Sequence, residues 1–299
     1  MPLASFDQLY QEADQQREPV GVAVAGGADA TVIEALRLAC NRGWVRPILA
    51  GRAADIRRLA EQGGWPLDGF RLIDAEEPAA AAVVEVSQGR AQLLMKGQIA
   101  TPALMKAVLQ AEAGLRTGRV IGQIVLMEIT QQQRRFLLAD TGITLQPTLE
   151  QKRDLLHSCA EVARRLGAER PRIALLAASE SVHAAMPETL DAAQLQRQAE
   201  AGEFPDCDVQ GPLSFDLAYA ADASDKKRVA GPVAGHADVL LFPNLLSANL
   251  TVKAIMYTAD CRFGGVLWGA RCPVVFMSRA DTVATRLSSL ALALRLLQS

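Results

Sequence analysis

The 299-residue chain is half hydrophobic by count and carries 31 Lys and Arg against 33 Asp and Glu, a formal net charge of −2. That length favours one large α/β unit or two modest domains over a single small core, and the charge balance gives no electrostatic reason to expect nucleic acid or an anionic membrane as partner. No stretch approaches the ~20 apolar residues that span a bilayer, and five scattered cysteines without a CxxC pair read as free thiols in a reducing compartment.

The opening MPLASFDQLY lacks the basic segment and apolar run of a secretory signal, so the expected compartment is the cytoplasm. Short apolar runs then alternate with longer stretches of helical period. Strands are predicted at Val20–Ala25, Pro47–Ala50, Arg71–Asp74, Gln92–Met95, Gln123–Met127 and Phe136–Ala139. A second series is predicted at Arg172–Ala177, Asp206–Val209, Asp238–Phe242, Gly265–Trp268 and Pro273–Met277. Several are apolar at consecutive positions, the pattern of strands covered on both faces in a parallel sheet. In the segment Leu149–Leu166, the residues Leu155, Cys159, Val162, Ala163 and Leu166 form one apolar stripe, with Gly167 as a stop. Val283, Leu287, Leu290, Ala291 and Leu294 repeat that arithmetic in the last helix. The polar run Gln131–Arg135 reads as a solvated hairpin turn or as the nearest thing to a domain boundary. Strand–helix alternation without linker or repeat implies a doubly wound α/β fold.

Several chemistries have no sequence support. There is no G-x-x-x-x-G-K-[ST] loop, no G-x-G-x-x-G after a strand and no G-x-S-x-G elbow. His157, His183 and His236 lie far apart without metal-ligand spacing. Acid–base work then falls mainly to carboxylates, with Arg and Lys holding charge.

In a doubly wound sheet, ligands sit beyond the carboxyl ends of the strands, where helix N-termini point. The residues just after the predicted strands are Gly26-Gly27-Ala28-Asp29, Lys96-Gly97, Asp140-Thr141-Gly142, Ser179-Glu180, Pro243-Asn244 and Ser278-Arg279-Ala280-Asp281. Lys96 either pairs with a phosphate or snorkels at a strand end. Asp140 is either a functional carboxylate or a turn-former bonded to its own backbone. Ser278, Arg279 and Asp281 combine a hydroxyl, a permanent cation and a carboxylate fit for oxyanion and proton chemistry. Asp281 can equally be the cap of the last helix.

Read together, the strand ends resemble a known family. The run LLMKG-QIATPALMKAVL from Leu93, the LAD-TG segment around Asp140, LEQK at Leu149–Lys152 and ALLAASESV with MPET are similar to the phosphate acetyltransferase and phosphate butyryltransferase pattern. GPLSFD, VAGHAD, FPNLLSANLTVK, GARCPVV and SRAD complete the series in the same order across nearly the whole chain, closer to the butyryl branch. The resemblance implies two doubly wound α/β domains with an interdomain cleft, a fold like that of isocitrate and isopropylmalate dehydrogenases. It places residues 1–133 with 283–299 in the first domain and 134–282 in the second. It also implies a homodimer that interconverts a short-chain acyl-CoA plus phosphate with acyl phosphate plus CoA, without a cofactor beyond CoA as substrate.

Residue by residue, the family's catalytic serine, arginine and aspartate fall on Ser278, Arg279 and Asp281. Asp281 would take the CoA thiol proton while Arg279 and Ser278 hold the phosphate and the oxyanion. Lys96 and Gly97 at a strand end, and Gln123 and Thr144 at positions where this chain departs from the pattern, are further candidates for substrate binding. The pattern also matches at Thr101, Asp140, Ser179, Asp216, Asn249 and Lys253, which are expected to line or support the cleft.

The departures are specific. Gly122-Gln123 stands where the family has Ser-His or Ser-Ser, Thr144 replaces an asparagine, and Gln210 replaces an acid. Ala248 replaces a glycine, and Val252 a tyrosine. They motivate an altered acyl group or acceptor, with a CoA-binding homologue lacking transferase activity as the alternative. A metal- and nicotinamide-dependent dehydrogenase on the same fold would need ligand clusters and a nucleotide loop, which the sequence does not supply.

Overall fold

The computed structural model describes residues 2–112, 114–276, 278 and 280–298. In chain order the elements are α1 (Phe6–Asp14), β1 (Val20–Ala25), α2 (Ala30–Asn41), β2 (Val45–Gly51), α3 (Ala53–Gly63), β3 (Arg71–Asp74), α4 (Pro78–Ser87), β4 (Leu93–Lys96) and α5 (Thr101–Val108). Next come β5 (Gly122–Ile129), β6 (Arg134–Ala139), α6 (Leu149–Arg165), β7 (Arg172–Leu176), α7 (Pro187–Glu200), β8 (Asp208–Leu213), α8 (Phe215–Tyr219) and α9 (Ala221–Lys227). The chain ends with β9 (Val239–Leu241), α10 (Leu245–Thr258), β10 (Cys261–Trp268), β11 (Val274–Val275) and α11 (Val283–Leu297).

The chain divides into two compact units, named for their place along the sequence: an outer one of Phe6–Arg119 with Phe263–Ser299 and a central one of Met1–Ser5 with Val120–Arg262. In the outer unit the strands run in the order β3-β2-β1-β4-β11-β10, parallel except where β10 meets β11. The VGVAVA run of β1 explains its central place: Val22, Ala23, Val24 and Ala25 are all 0% exposed, as a strand covered on both faces requires. Helices α1 and α2 pack with the returning α11, whose Leu290, Ala291, Leu292 and Ala293 are fully buried.

The central unit orders its strands β5-β6-β9-β7-β8, parallel except for the antiparallel β5–β6 hairpin. The polar run at 130–133 is the turn of that hairpin. Residues 120–133, expected in the first domain, therefore sit with β6 in this unit, because a hairpin joined by so short a turn stays with one core. The return to the outer unit likewise begins at Phe263 rather than Val283. Strand β8 runs from Asp208 to Leu213, beyond the predicted end at Val209 and through the Gly211-Pro212 pair; an edge strand tolerates a proline that a central one does not. Of the predicted strand Pro273–Met277, Val274 and Val275 pair, and Met277 lies outside the described residues. Helix α6 opens on a capping box, in which Thr148 Oγ1 accepts from Gln151 N and Gln151 Oε1 accepts from Thr148 N.

Candidate active site

In the outer unit, the loops after β1 and β4 meet backbone to backbone. Gly97 N donates to Ala25 O at 2.9 Å and Gln98 N donates to Gly26 O at 2.7 Å. A Cβ on Gly97 would stand 2.0 Å from Gly26 O, so only glycine fits. Lys96 is 5% exposed at the end of β4, with Nζ 3.4 Å from Gly97 O. Thr101, half-buried, opens α5 just beyond.

Asp29 caps α2, its Oδ1 accepting from Val32 N at 3.0 Å and from Thr31 Oγ1 at 2.7 Å. Thr31 Oγ1 in turn accepts from Arg286 Nε at 2.9 Å. Arg286 is 2% exposed, one of the largest buried side chains of the chain. Burial depresses its pKa, against the opposing pull of the Asp29 and Asp281 charges. Sequence reasoning did not pick out this cation. The available signal was a charge within the apolar stripe of the last helix, three residues after Val283 and four before Leu290.

The Ser278–Asp281 segment closes on itself. Ser278 N donates to Asp281 Oδ2 at 2.6 Å, Asp281 N donates to Ser278 O at 3.2 Å, and Ala280 N donates to Ser278 Oγ at 3.3 Å. Ser278 is exposed and Asp281 half-buried. Thr282, not Asp281, caps α11, accepting from Thr285 N at 3.2 Å. Asp281 is thus held at a strand-to-helix turn by backbone bonds, with the buried Arg286 charge nearby. Arg279 lies outside the described residues.

In the central unit, Asp140 organises the loop after β6. Its Oδ1 accepts from Gln123 N (2.9 Å), Gly142 N (3.0 Å) and Ile143 N (3.1 Å), and its Oδ2 from Thr144 N (2.8 Å). At 3% exposure this carboxylate makes the backbone bonds that the second of its two sequence readings calls for. Asn249 Nδ2 donates to Thr141 O at 3.2 Å and brings α10 to the same loop. Gln123, Asp140, Thr144 and Asn249 are therefore gathered around one turn. Ser179 forms a small turn after β7, Oγ accepting from Ser181 N at 3.0 Å. Asp216 is exposed and engaged by Ser214 and by Lys227 at 3.0 Å; the Ser214 hydroxyl, then Lys227, hold its carboxyl below the usual range. Lys253 is exposed on α10.

Several departures have packing reasons. A Cβ on Gly122 would stand 2.3 Å from Leu155 Cδ2, so a serine there would require the Leu155 side chain of α6 to move. Gln210 ties the loop before β9 to β8. Its Oε1 accepts from Val233 N and Ala234 N, both at 3.1 Å, while Nε2 donates to Ala230 O at 3.0 Å. A carboxylate could not make that last bond. Ala248 and Val252 are the buried residues of α10. Among the described residues no His, Cys, Asp and Glu cluster is arranged to hold a metal ion, and no helix is long and apolar enough to cross a membrane.

A family model described as phosphate acetyl/butaryl transferase matches residues 75–294. The chain is 36% identical over 294 residues to a phosphate butyryltransferase of Clostridium acetobutylicum, with 97% of each chain covered. It is 37% identical over 273 residues to a phosphate acetyltransferase of Thermotoga maritima, covering 91% of this chain and 93% of that one. Its structure is similar to the crystal structure of a branched-chain phosphotransacylase from Enterococcus faecalis V583, with a TM-score of 0.82 at 29% identity over 93% of this chain and 99% of the other. On sequence and on fold alike, the chain belongs to the phosphate acetyl/butaryl transferase family.

Proposed function

We propose that the protein is a phosphate acyltransferase that interconverts a short-chain acyl-CoA plus phosphate with acyl phosphate plus CoA, its two units serving as the enzyme's α/β domains. Relatives named phosphate butyryltransferase and phosphate acetyltransferase along almost the full chain support this. The observation that carries it to residues is the backbone-braced Ser278–Asp281 turn beside a buried guanidinium. In the direction of thioester synthesis, Asp281 accepts the thiol proton as sulfur attacks the carbonyl carbon of the acyl phosphate. The S–C bond forms, the tetrahedral oxyanion collapses, and the C–O bond to phosphate breaks with its electron pair leaving on inorganic phosphate. Arg279 and Ser278 stabilise the oxyanion and the departing phosphate, with CoA as substrate and no further cofactor in the step.

Lys96, Gly97 and Thr101 support the anionic substrate in the outer unit. Gln123, Thr144, Ser179 and Asn249 serve the substrate in the central unit, with Asp140 holding the loop of Thr144 in shape and the solvent-facing Asp216 and Lys253 as further contributors. We place the enzyme in the cytoplasm, a compartment in which its five free cysteines stay reduced. We also infer a homodimer. Leu246, Leu250 and Tyr257 are 68, 61 and 80% exposed on one face of α10, a stripe suited to a second copy.

The test mixes purified protein with acetyl-, propionyl- or butyryl-phosphate plus CoA and follows thioester formation. Turnover with at least one donor, lost by about 100- to 1000-fold in Arg279→Ala, is expected. No activity above that variant with any donor would reject the assignment and leave a CoA-binding homologue.

A further inference from the structure

The opposite ends of the central unit's strands carry a second set of cations that acyl transfer does not use. Arg134 and Arg135 open β6, Arg172 opens β7, and His236 and Asp238 precede β9. They line a hollow of about 280 Å³, which Pro2 and Leu3 also border. β6 runs from this hollow to Asp140, a separation of about 20 Å at ~3.3 Å per residue.

The charges in the hollow do not balance. Asp238, 7% exposed, is taken up by Arg172: Oδ2 accepts from Arg172 N at 3.0 Å and Nε at 2.9 Å, and Oδ1 accepts from Nη2 at 2.9 Å. The Arg134 guanidinium stacks on Tyr219, 4.4 Å from the ring centre, and among the described residues donates only to Gly235 O, at 3.4 Å. The Arg135 side chain makes no hydrogen bond or ion pair among the described residues. Burial, and then the like charge of Arg172, hold the Arg134 guanidinium below its usual range, against the opposing pull of Tyr219 and Asp238. Three guanidiniums thus share one buried carboxylate, with the His236 imidazole at the rim. Guanidinium forks pair with carboxylate and phosphate oxygens two at a time.

We propose that this hollow is a binding site for a small organic anion of two or three charges, a phosphomonoester or a polycarboxylate. Its volume falls just below the ~300–1,000 Å³ of pockets for drug-sized ligands, which excludes a second CoA and favours a compact anion. Unlike the proposed acyl transfer site, it lies at strand N-termini.

The test is calorimetry on the full chain at low ionic strength, with 2-phosphoglycolate and citrate as probes. At least one probe should bind one site per chain beyond any at the acyl phosphate position. Arg134→Gln combined with Arg135→Gln should weaken it by about tenfold or more while turnover stays within about twofold. Binding of citrate alone identifies a polycarboxylate site, and variant-sensitive binding of phosphoglycolate alone a phosphomonoester site. If the double variant does not fold, Arg135→Gln, whose side chain holds no other described group, carries the same test. Absence of binding by both probes, or equal affinity in wild type and variants, overturns the proposal.

Discussion

Replacing Asp140 with asparagine separates loop organisation from chemistry. In the native loop one carboxylate accepts four backbone N–H bonds, three at Oδ1 and one at Oδ2, at 2.8–3.1 Å. An asparagine that keeps its oxygen in the Oδ1 place strips the charge assistance from three bonds. It also turns an amide donor toward the Thr144 donor. Hydrogen bonds to a charged group contribute about 1.5–3 kcal/mol against about 1 for neutral pairs, and a buried donor left unmet costs about 1–3 kcal/mol. Taken in the lower part of these ranges, the total comes to about 4 kcal/mol. At roughly 2–4 °C per kcal/mol for a unit of this size, thermal melting followed by circular dichroism should fall by about 10 °C. Asp140→Ala, which leaves every one of these donors unmet, should fall further. A melting point within about 2 °C of wild type, together with an Asp140→Asn turnover reduced a hundredfold or more, would refute the organising role and make Asp140 a reacting carboxylate.

Gly97→Ala should lower stability by more than the ~1–3 kcal/mol of ordinary overpacking, because the added methyl meets the Gly26 backbone rather than a side chain; denaturant unfolding measures this, and a loss under about 1 kcal/mol contradicts the close approach. Burial pushes the Cys207 thiol up to about 11 and the Cys272 thiol up to about 12, from an ordinary 9.0. The native state therefore keeps protons that the unfolded chain releases. This contribution to stability is full below about 9 and is lost as pH rises toward 11 to 12. The decline, roughly 1.4 kcal/mol per pH unit for each thiol, should be shallower in Cys272→Ala when urea unfolding is measured across this range; an unchanged slope counts against a buried neutral thiol. Leu246→Lys with Leu250→Lys should convert dimers to monomers in sedimentation without changing helix content, and a persistent dimer would move the interface elsewhere.

The strands were legible where burial is two-sided, since a run such as VGVAVA in β1 leaves no polar alternation to confuse the reading. Strand β8 was harder: the predicted strand stops at Val209, and the observed one continues through Gly211-Pro212, which only its place at a sheet edge allows. The strand-end rule located Asp140 and Asp281 but left open what each does. Asp140's partners include the N–H of Gln123, seventeen residues away in sequence, and no local pattern encodes such a donor. For Asp281 the question was whether it caps the last helix, which Thr282 does instead. Gln210 looked like a lost acid; only its three partners mark it as a loop tie. Arg286 was hidden by composition, the one buried cation of a helix whose other core residues are small or aliphatic and whose second arginine, Arg295, is half-buried.

The order of the outer unit's strands has a consequence for synthesis. β4 is complete at Lys96, but its parallel neighbour β11 begins at Val274, after the whole central unit has been made. A nascent chain therefore carries β4 with one ladder side unpaired while well over a hundred further residues emerge. Such an open flank is a template for pairing with another chain, and late long-range closure lengthens the exposure. The aggregation risk of this protein thus falls on the ribosome-bound chain, before the closing strand arrives.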